Sequence, residues 1–204
     1  MENLVFVTGN RGKMLDAKNQ FSAFEVNLDW FEYDGKEPNV NDIEYISKFK
    51  ANQAYRLTGK PCFVIDTGFY IENYPGEPGF PGAFVRRAIV NQGVSDLLEK
   101  MQGIVNRHCQ FIDCLTYYDG IQFKTFFGVS HGSLSYEKKG RSNVRAKSDL
   151  WYVYIPNNHD KTLAEMTDEE RDNREDGHTC AIKEFLKWYT KNGAERNGVA
   201  RYED

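Results

Sequence analysis

The stretch Leu4-Val5-Phe6-Val7-Thr8-Gly9-Asn10-Arg11-Gly12-Lys13 decides how the rest of the chain is read. Its first four residues are an unbroken apolar run containing two valines, the pattern of a short strand buried on both faces. Residues 8–13 then read as a turn and 14–24 as a helix, a strand–loop–helix opening. The two glycines allow a backbone to approach an anion closely, and a helix start presents free N–H groups and a positive dipole end. Lys13 adds a cation, while Thr8 and Asn10 add donors. The spacing is not that of a Walker A loop. On these residues alone, a phosphate-binding loop and an ordinary strand-to-helix turn both remain open.

Outward from this loop, residues 24–33 alternate (Phe24, Val26, Leu28, Trp30) and predict a second strand. Residues 43–57 carry apolar or small side chains at helical spacing, and Gly59-Lys60-Pro61 closes that helix. Residues 62–65 form another apolar run and deliver Asp66 at its carboxyl end. Residues 74–82 are rich in Pro and Gly and predict a shaped loop, followed by a short helix over 95–101. Three antiparallel strands are expected over 109–118, 121–129 and 132–138, with Asp119-Gly120 as a hairpin turn. A strand over 150–155 and helices over 162–171 and 181–189 complete the pattern, and the polar tail 191–204 reads as frayed. Strands alternating with helices and then a meander predict an α/β fold: a mixed central sheet with helices on both faces. Ligands in such folds sit at the carboxyl ends of strands, where both Thr8 and Asp66 are expected.

Composition narrows the function classes. The chain has 204 residues, 40% hydrophobic and 27% charged, which suits a single α/β domain, 1–204. The formal net charge is -4 and no basic run stands out, which argues against duplex nucleic acid as a partner. A short apolar N-terminus without a basic region predicts no signal peptide, and no run is long enough to span a bilayer. The four cysteines form no CxxC pair and are expected as reduced thiols in a cytoplasmic protein.

Thr8-Gly9-Asn10-Arg11-Gly12-Lys13 resembles the opening Thr-Gly-Asn-x-x-Lys signature of the inosine triphosphate pyrophosphatase, or Ham1-like, family. Asp66-Thr67-Gly68 resembles that family's Asp-Ser/Thr-Gly motif, Gly76-Glu77-Pro78-Gly79 its Gly-x-Pro-Gly loop, and Thr162-Leu163-Ala164-Glu165-Met166 its Thr-x-Ala-Glu-Met segment. The resemblance spans about residues 3–190. It implies an elongated sheet with two lobes around an active-site cleft, the lobes being 1–105 plus 145–190, and 106–144. It implies a homodimer and a Mg2+-dependent hydrolase that splits a nucleoside triphosphate into monophosphate and pyrophosphate. By this resemblance Thr8, Asn10 and Lys13 hold the triphosphate, with Thr67 and Gly68 beside them. Asp66 orders the metal and helps activate water, and Lys50 stands where the family carries a catalytic lysine.

The chain departs from the pattern at several points. The acid expected before Asp66 is Ile65, and the metal-binding glutamate falls on Pro38, with Glu37 adjacent and Glu32 and Glu44 as further candidates. The basic residue expected after the Gly-x-Pro-Gly loop is Ala83; Arg86 and Arg87 follow, either as replacements or as helix decoration. At the base end, Ser148-Asp149-Leu150-Trp151 stands for Phe-Gly-Trp/Tyr-Asp, and Gly177-His178-Thr179 for Ser-His-Arg. Asp149, Trp151, Arg171 and His178 are the candidate base-reading residues, and this rearrangement predicts a changed base preference. A catalytically impaired nucleotide binder on the same fold, or a phosphohydrolase acting on another nucleotide, are the alternatives.

Overall fold

A computed structural model describes residues 3–24 and 26–196. Strand β1 (Leu4–Val7) is buried along its whole length. Alternation sends Leu4 and Phe6 to one face of the sheet, where helices α1 (Arg11–Phe21) and α5 (Ala181–Arg196) cover them with Met14, Phe21, Ile182 and Phe185. Val5 and Val7 point to the other face, where Ala51 and Ala54 of α2 (Ile43–Thr58) pack. Both ends of α2 are marked in the sequence: the Asp42 side chain accepts from the backbone N–H groups of Glu44 and Tyr45, and Gly59 closes the helix at φ 62°.

Among the described residues the sheet has seven strands: β1, β2 (Leu28–Phe31), β3 (Cys62–Ile71), β4 (Pro81–Gly82), β5 (His108–Tyr118), β6 (Phe123–Leu134) and β7 (Tyr154–Pro156). The main order is β2-β1-β3-β5-β6-β7, with β4 paired to β3. β1 is parallel to β2 and β3, and the remaining pairings are antiparallel. The expected mixed sheet with helices on both faces is therefore what the chain forms. Residues 106–144, expected as a lobe, contribute β5 and β6 to this same sheet. Beyond the end of β1, β3 runs on and its far half packs with α3 (Val85–Lys100) and residues 150–166 in a further apolar cluster. Among the described residues no helix is long and apolar enough to cross a membrane.

Several expected elements differ. α1 begins at Arg11 rather than residue 14, because the Asn10 side chain accepts from the Lys13 N–H and caps it. β2 is shorter than 24–33; among the described residues its only partner is the four-residue β1, so the ladder ends with β1. The strands expected over 121–129 and 132–138 are one continuous β6. Gly132 does not break it; a side chain there would strike Ile155 and the Tyr154 ring of the neighbouring β7. Residues 149–152 form a 3-10 turn before β7, with Leu150 and Trp151 buried in succession rather than in alternation. The expected helix 162–171 splits. Thr162 donates to Glu165 in a local turn, and α4 (Asp168–Asp172) starts from a separate Thr167/Glu170 capping box. The short helix expected at 95–101 is the second half of α3, which kinks at Gly93 (φ 76°). α5 continues to Arg196, past the expected end, and the rest of the expected frayed tail lies outside the described residues.

Candidate functional site

Because β1 stops at Val7 while β3 continues, the edge of β3 is open next to the Thr8 loop, and a cleft of about 750 Å³ forms there. Thr8, Asn10, Lys13, Glu37, Lys50, Asp66, Thr67, Asp149, Trp151, Arg171 and His178 all border it. Gly68 does not. It is buried in β3, and a side chain on it would strike the ring of Tyr70. Its requirement is packing, a correction to its expected contact with substrate.

The loop after β1 is fixed from within. Thr8 Oγ1 accepts from Asn10 N at 3.1 Å, and the Trp30 indole donates to Thr8 O at 2.9 Å. Asn10 Nδ2 donates to Lys147 O at 2.9 Å, and Gly12 lets the 145–146 backbone lie directly on the first turn of α1. Lys13 reaches across to donate to the Ile65 carbonyl at 2.8 Å. Burial lowers the Lys13 pKa, with Asp66 and Asp113 acting in the opposite sense.

Lys50 on α2 is bound at 2.5 Å to both Glu37 Oε1 and Asp66 Oδ1. Burial works against its charge, but the two carboxylates outweigh burial and its pKa is raised. Asp66 is itself buried, and its second oxygen, Oδ2, has no hydrogen-bond partner. A buried carboxylate oxygen without a partner is costly, and this one retains its full capacity to accept a hydrogen bond. Among the described residues no group of three or more His, Cys, Asp or Glu gathers as a ready-made metal centre. Of the two arginines left open, Arg86 pairs with Asp34 at the cleft, while Arg87 turns away to Asn39 and the Phe84 ring.

The residues expected to read a base differ more from expectation. Arg171 is only 3% exposed. Its guanidinium is spent on the Leu163 and Met166 carbonyls and on Asp168, and it lies 5.2 Å over the Trp151 ring. These contacts anchor the 163–168 segment and leave only Nε without a partner, so its main work is structural. Trp151 is 8% exposed and shows the cleft little of its ring. Asp149, at the start of the 3-10 turn, is exposed. His178 Nδ1 sits 2.5 Å from Asp176 Oδ1.

Sequence reasoning missed several residues in the cleft or directly behind its wall. Asp176 has a fully buried side chain and is bound by Arg174 at 2.7 Å as well as by His178. Both lie in an irregular loop that carries no periodic signal. Lys147 pairs with Asp16 at 2.8 Å, and Asp113 accepts from Thr67 at 2.5 Å. Asp113 alone had a legible signal, because it interrupts an apolar alternation along β5 (Cys109, Phe111, Leu115, Tyr117).

Burial opposes ionisation of Asp176, but Arg174 and the His178 contacts prevail, and its pKa lies below the ordinary 3.8. A depressed carboxylate contributes stability above its unfolded value and loses it as pH falls through the folded one. Asp176→Asn should therefore cost about 2 kcal/mol at pH 7. The gap between variant and parent should narrow below about pH 4 as Asp176 of the parent protonates. Denaturant titrations at pH 7 and pH 3 check this; a gap that does not shrink in acid removes the charge from the explanation.

The Ham1 family profile matches residues 4–188, nearly the whole length. The chain belongs to the Ham1 family. The family relatives include a protein from Thermococcus kodakarensis named dITP/XTP pyrophosphatase, 31% identical over 189 residues, which cover 93% of this chain and 98% of the relative. Another of the same name from Saccharolobus solfataricus is 31% identical, covering 91% and 94%. Among solved structures, a HAM1 protein from Coxiella burnetii has a TM-score of 0.76 at 18% identity, covering 94% of this chain and all of that one. The Staphylococcus aureus Ham1 protein scores 0.69 at 19% identity, covering 92% and 99%. The structural likenesses bear on the fold, and the sequence relatives carry the family assignment.

Proposed function

We propose that the protein is a hydrolase that cleaves a nucleoside triphosphate between its α- and β-phosphates, releasing the monophosphate and pyrophosphate. The observation that carries this is Asp66, with one oxygen held by Lys50 and the other unpartnered, facing the same cleft as the Thr8–Gly9–Asn10 loop and Lys13. The names of the family relatives, dITP/XTP pyrophosphatase, support the reaction class.

In this reading the loop and the N-terminus of α1 receive the phosphates, where backbone N–H groups and the helix dipole favour anions. Lys13 and Lys50 offset the charge that builds on the phosphate oxygens. Asp66 orients the attacking water toward the α-phosphorus and takes its proton as the new P–O bond forms; the bond to the bridging oxygen breaks and pyrophosphate leaves. Asp66 and Glu37 would hold Mg2+, which needs few protein ligands when phosphates and waters supply the rest. The unpartnered Asp66 oxygen fits such an ion, which would supply charge neutralisation of the phosphates.

The changed base end favours a base other than hypoxanthine or xanthine. Trp151 is buried under Arg171, and the exposed Asp149 can accept from an amino group at the cleft. A panel of canonical and modified triphosphates with Mg2+, assayed for pyrophosphate, tests both points. Asp149→Ala is expected to reorder the bases by roughly ten- to a hundredfold, as losing one hydrogen-bond partner of a base edge would. If inosine triphosphate is the best substrate and the variant keeps the ranking, the pocket is a conventional one. Binding without any pyrophosphate on prolonged incubation would instead identify a nucleotide-binding protein.

A further inference from the structure

We infer that Asp34 and Arg86 form a latched anion subsite at the rim of the cleft: Arg86 takes the terminal phosphate of a polyphosphate chain, and Asp34 competes for Arg86 and holds it while that phosphate is absent. This rests on the nucleotide reading above and adds the far end of the phosphate chain to it.

The irregular stretch 32–42 between β2 and α2 builds the rim. Gln53 Nε2 donates to Lys36 O at 2.9 Å, and Lys50 holds Glu37 at 2.5 Å. Asn39 Oδ1 accepts from Arg87 Nη1 at 2.5 Å, and Asn41 Oδ1 accepts from Ala83 N at 2.7 Å. These ties pin the stretch to α2 on one side and to the start of α3 on the other. Asp34 stands at the beginning of the stretch, against the Thr8 loop: a side chain added at Gly9 would come within 3.0 Å of Asp34 Cβ. Arg86, in the first turn of α3, pairs with Asp34 Oδ2 from the opposite bank. Both residues border the cleft.

Arg86 is held far less firmly than other cations of the cleft. Lys50 is locked between two carboxylates, Arg171 is consumed by carbonyls and Asp168, and Arg174 pairs with the fully buried Asp176. The Arg86 side chain is 62% exposed and that of Asp34 50%, so water screens their attraction. An exposed ion pair of this kind contributes little. A competing anion therefore has little to overcome. A terminal phosphate is a stronger partner than a carboxylate, because it carries more charge and offers two oxygens at once to the planar guanidinium fork.

The place of the pair in the cleft selects a phosphate chain as the ligand. Asp34 and Glu37 lie on one stretch, and Glu37 is joined through Lys50 to Asp66. A chain whose reacting phosphate stands at Asp66 and whose next phosphates lie along the Thr8–Gly9 loop ends beside Gly9, where Arg86 waits on Asp34. The carboxylate beside Gly9 thus occupies the guanidinium that the last phosphate would use. When pyrophosphate departs, Asp34 recovers Arg86, which makes the product easier to release.

The test separates the phosphate chain from base and sugar. Inorganic tripolyphosphate, pyrophosphate and the monophosphates of adenosine, guanosine and inosine are titrated by calorimetry with Mg2+. The proteins are the wild type, Arg86→Gln, Asp34→Asn and the double variant, with thermal melting as the control for folding. Pyrophosphate release from the matching triphosphates is recorded in parallel. Arg86→Gln should weaken tripolyphosphate and pyrophosphate by roughly tenfold and the monophosphates by less than about twofold. Asp34→Asn should tighten the two inorganic chains by roughly three- to tenfold. In the Arg86→Gln background that gain should shrink to within about twofold, since only screened repulsion remains. An unchanged affinity for both chains in Arg86→Gln, or an equal loss for the monophosphates, overturns the subsite. A gain from Asp34→Asn that is the same with and without Arg86 overturns the latch. Arg86-dependent binding of tripolyphosphate in a protein that releases no pyrophosphate from any triphosphate supports the subsite and overturns the hydrolase reading. A wild type that releases pyrophosphate but binds neither inorganic chain overturns the subsite and leaves the hydrolase reading standing.

Discussion

Asp66→Asn is expected to lower kcat by roughly a thousandfold, in the range that loss of a positioned general base or metal carboxylate produces. The substitution keeps the volume of a side chain that is 7% exposed, so the fold should survive it. What it removes is charge. Lys50 retains Glu37, but the oxygen that now stands without a partner becomes one end of a neutral amide, a poor acceptor for an attacking water. KM should change much less than kcat, because the proposed phosphate contacts of Thr8, Asn10 and Lys13 are left in place. Steady-state pyrophosphate release, with thermal melting as the control for folding, is the measurement. A variant within about tenfold of the parent would mean that the reaction does not pass through this carboxylate.

Lys50→Met should act on both stability and turnover. Lys50 touches Glu37 and Asp66 at 2.5 Å each, so those two carboxylate oxygens lie within twice that distance of each other. With the ammonium gone, two largely buried negative charges face each other, and breaking such a cluster typically costs about 3 kcal/mol or more. The ammonium is a partner in the folded state whose raised pKa keeps it charged past 10.5, so this loss should be fully visible at pH 7. Turnover should drop about a hundredfold through loss of charge stabilisation. The two readouts are separated by the metal. Because the methionine leaves both carboxylates free, Mg2+ should raise the melting temperature of Lys50→Met more than that of the parent. An equal or smaller metal-induced shift would show that Glu37 and Asp66 do not form a common cation site.

Much of this site follows from chemistry that is local in the chain. Residues 4–13 carry a strand, a turn with glycines and a helix cap, each determined within a few neighbours, and Asn10 caps α1 as its side chain allows. Asp66 is readable for the same reason: an apolar run ends in an acid, and the run must be buried. The limits of α2 are written in Asp42 and Gly59. The meander is legible as alternation, although its number of strands is not, since Gly132 looks like a break until the ring of Tyr154 is known to lie against it.

The sequence by itself therefore determined the fold class, the capped turn between β1 and α1 and the family to which the chain belongs, because those depend on periodicity and on short contiguous motifs. The tertiary structure decided the rest. Arg171 looks like a free cation in the chain, but it is folded over Trp151 and consumed by the carbonyls of a turn 5 to 8 residues away. Asp176 looks like an ordinary loop acid, yet Arg174 and His178 fold around it and its side chain is fully buried. Asp113 is 46 positions from Thr67 and becomes its partner only when β5 pairs with β3. Such pairings are long-range contacts between groups whose local sequence is compatible with many partners; only the closure of the sheet selects among them.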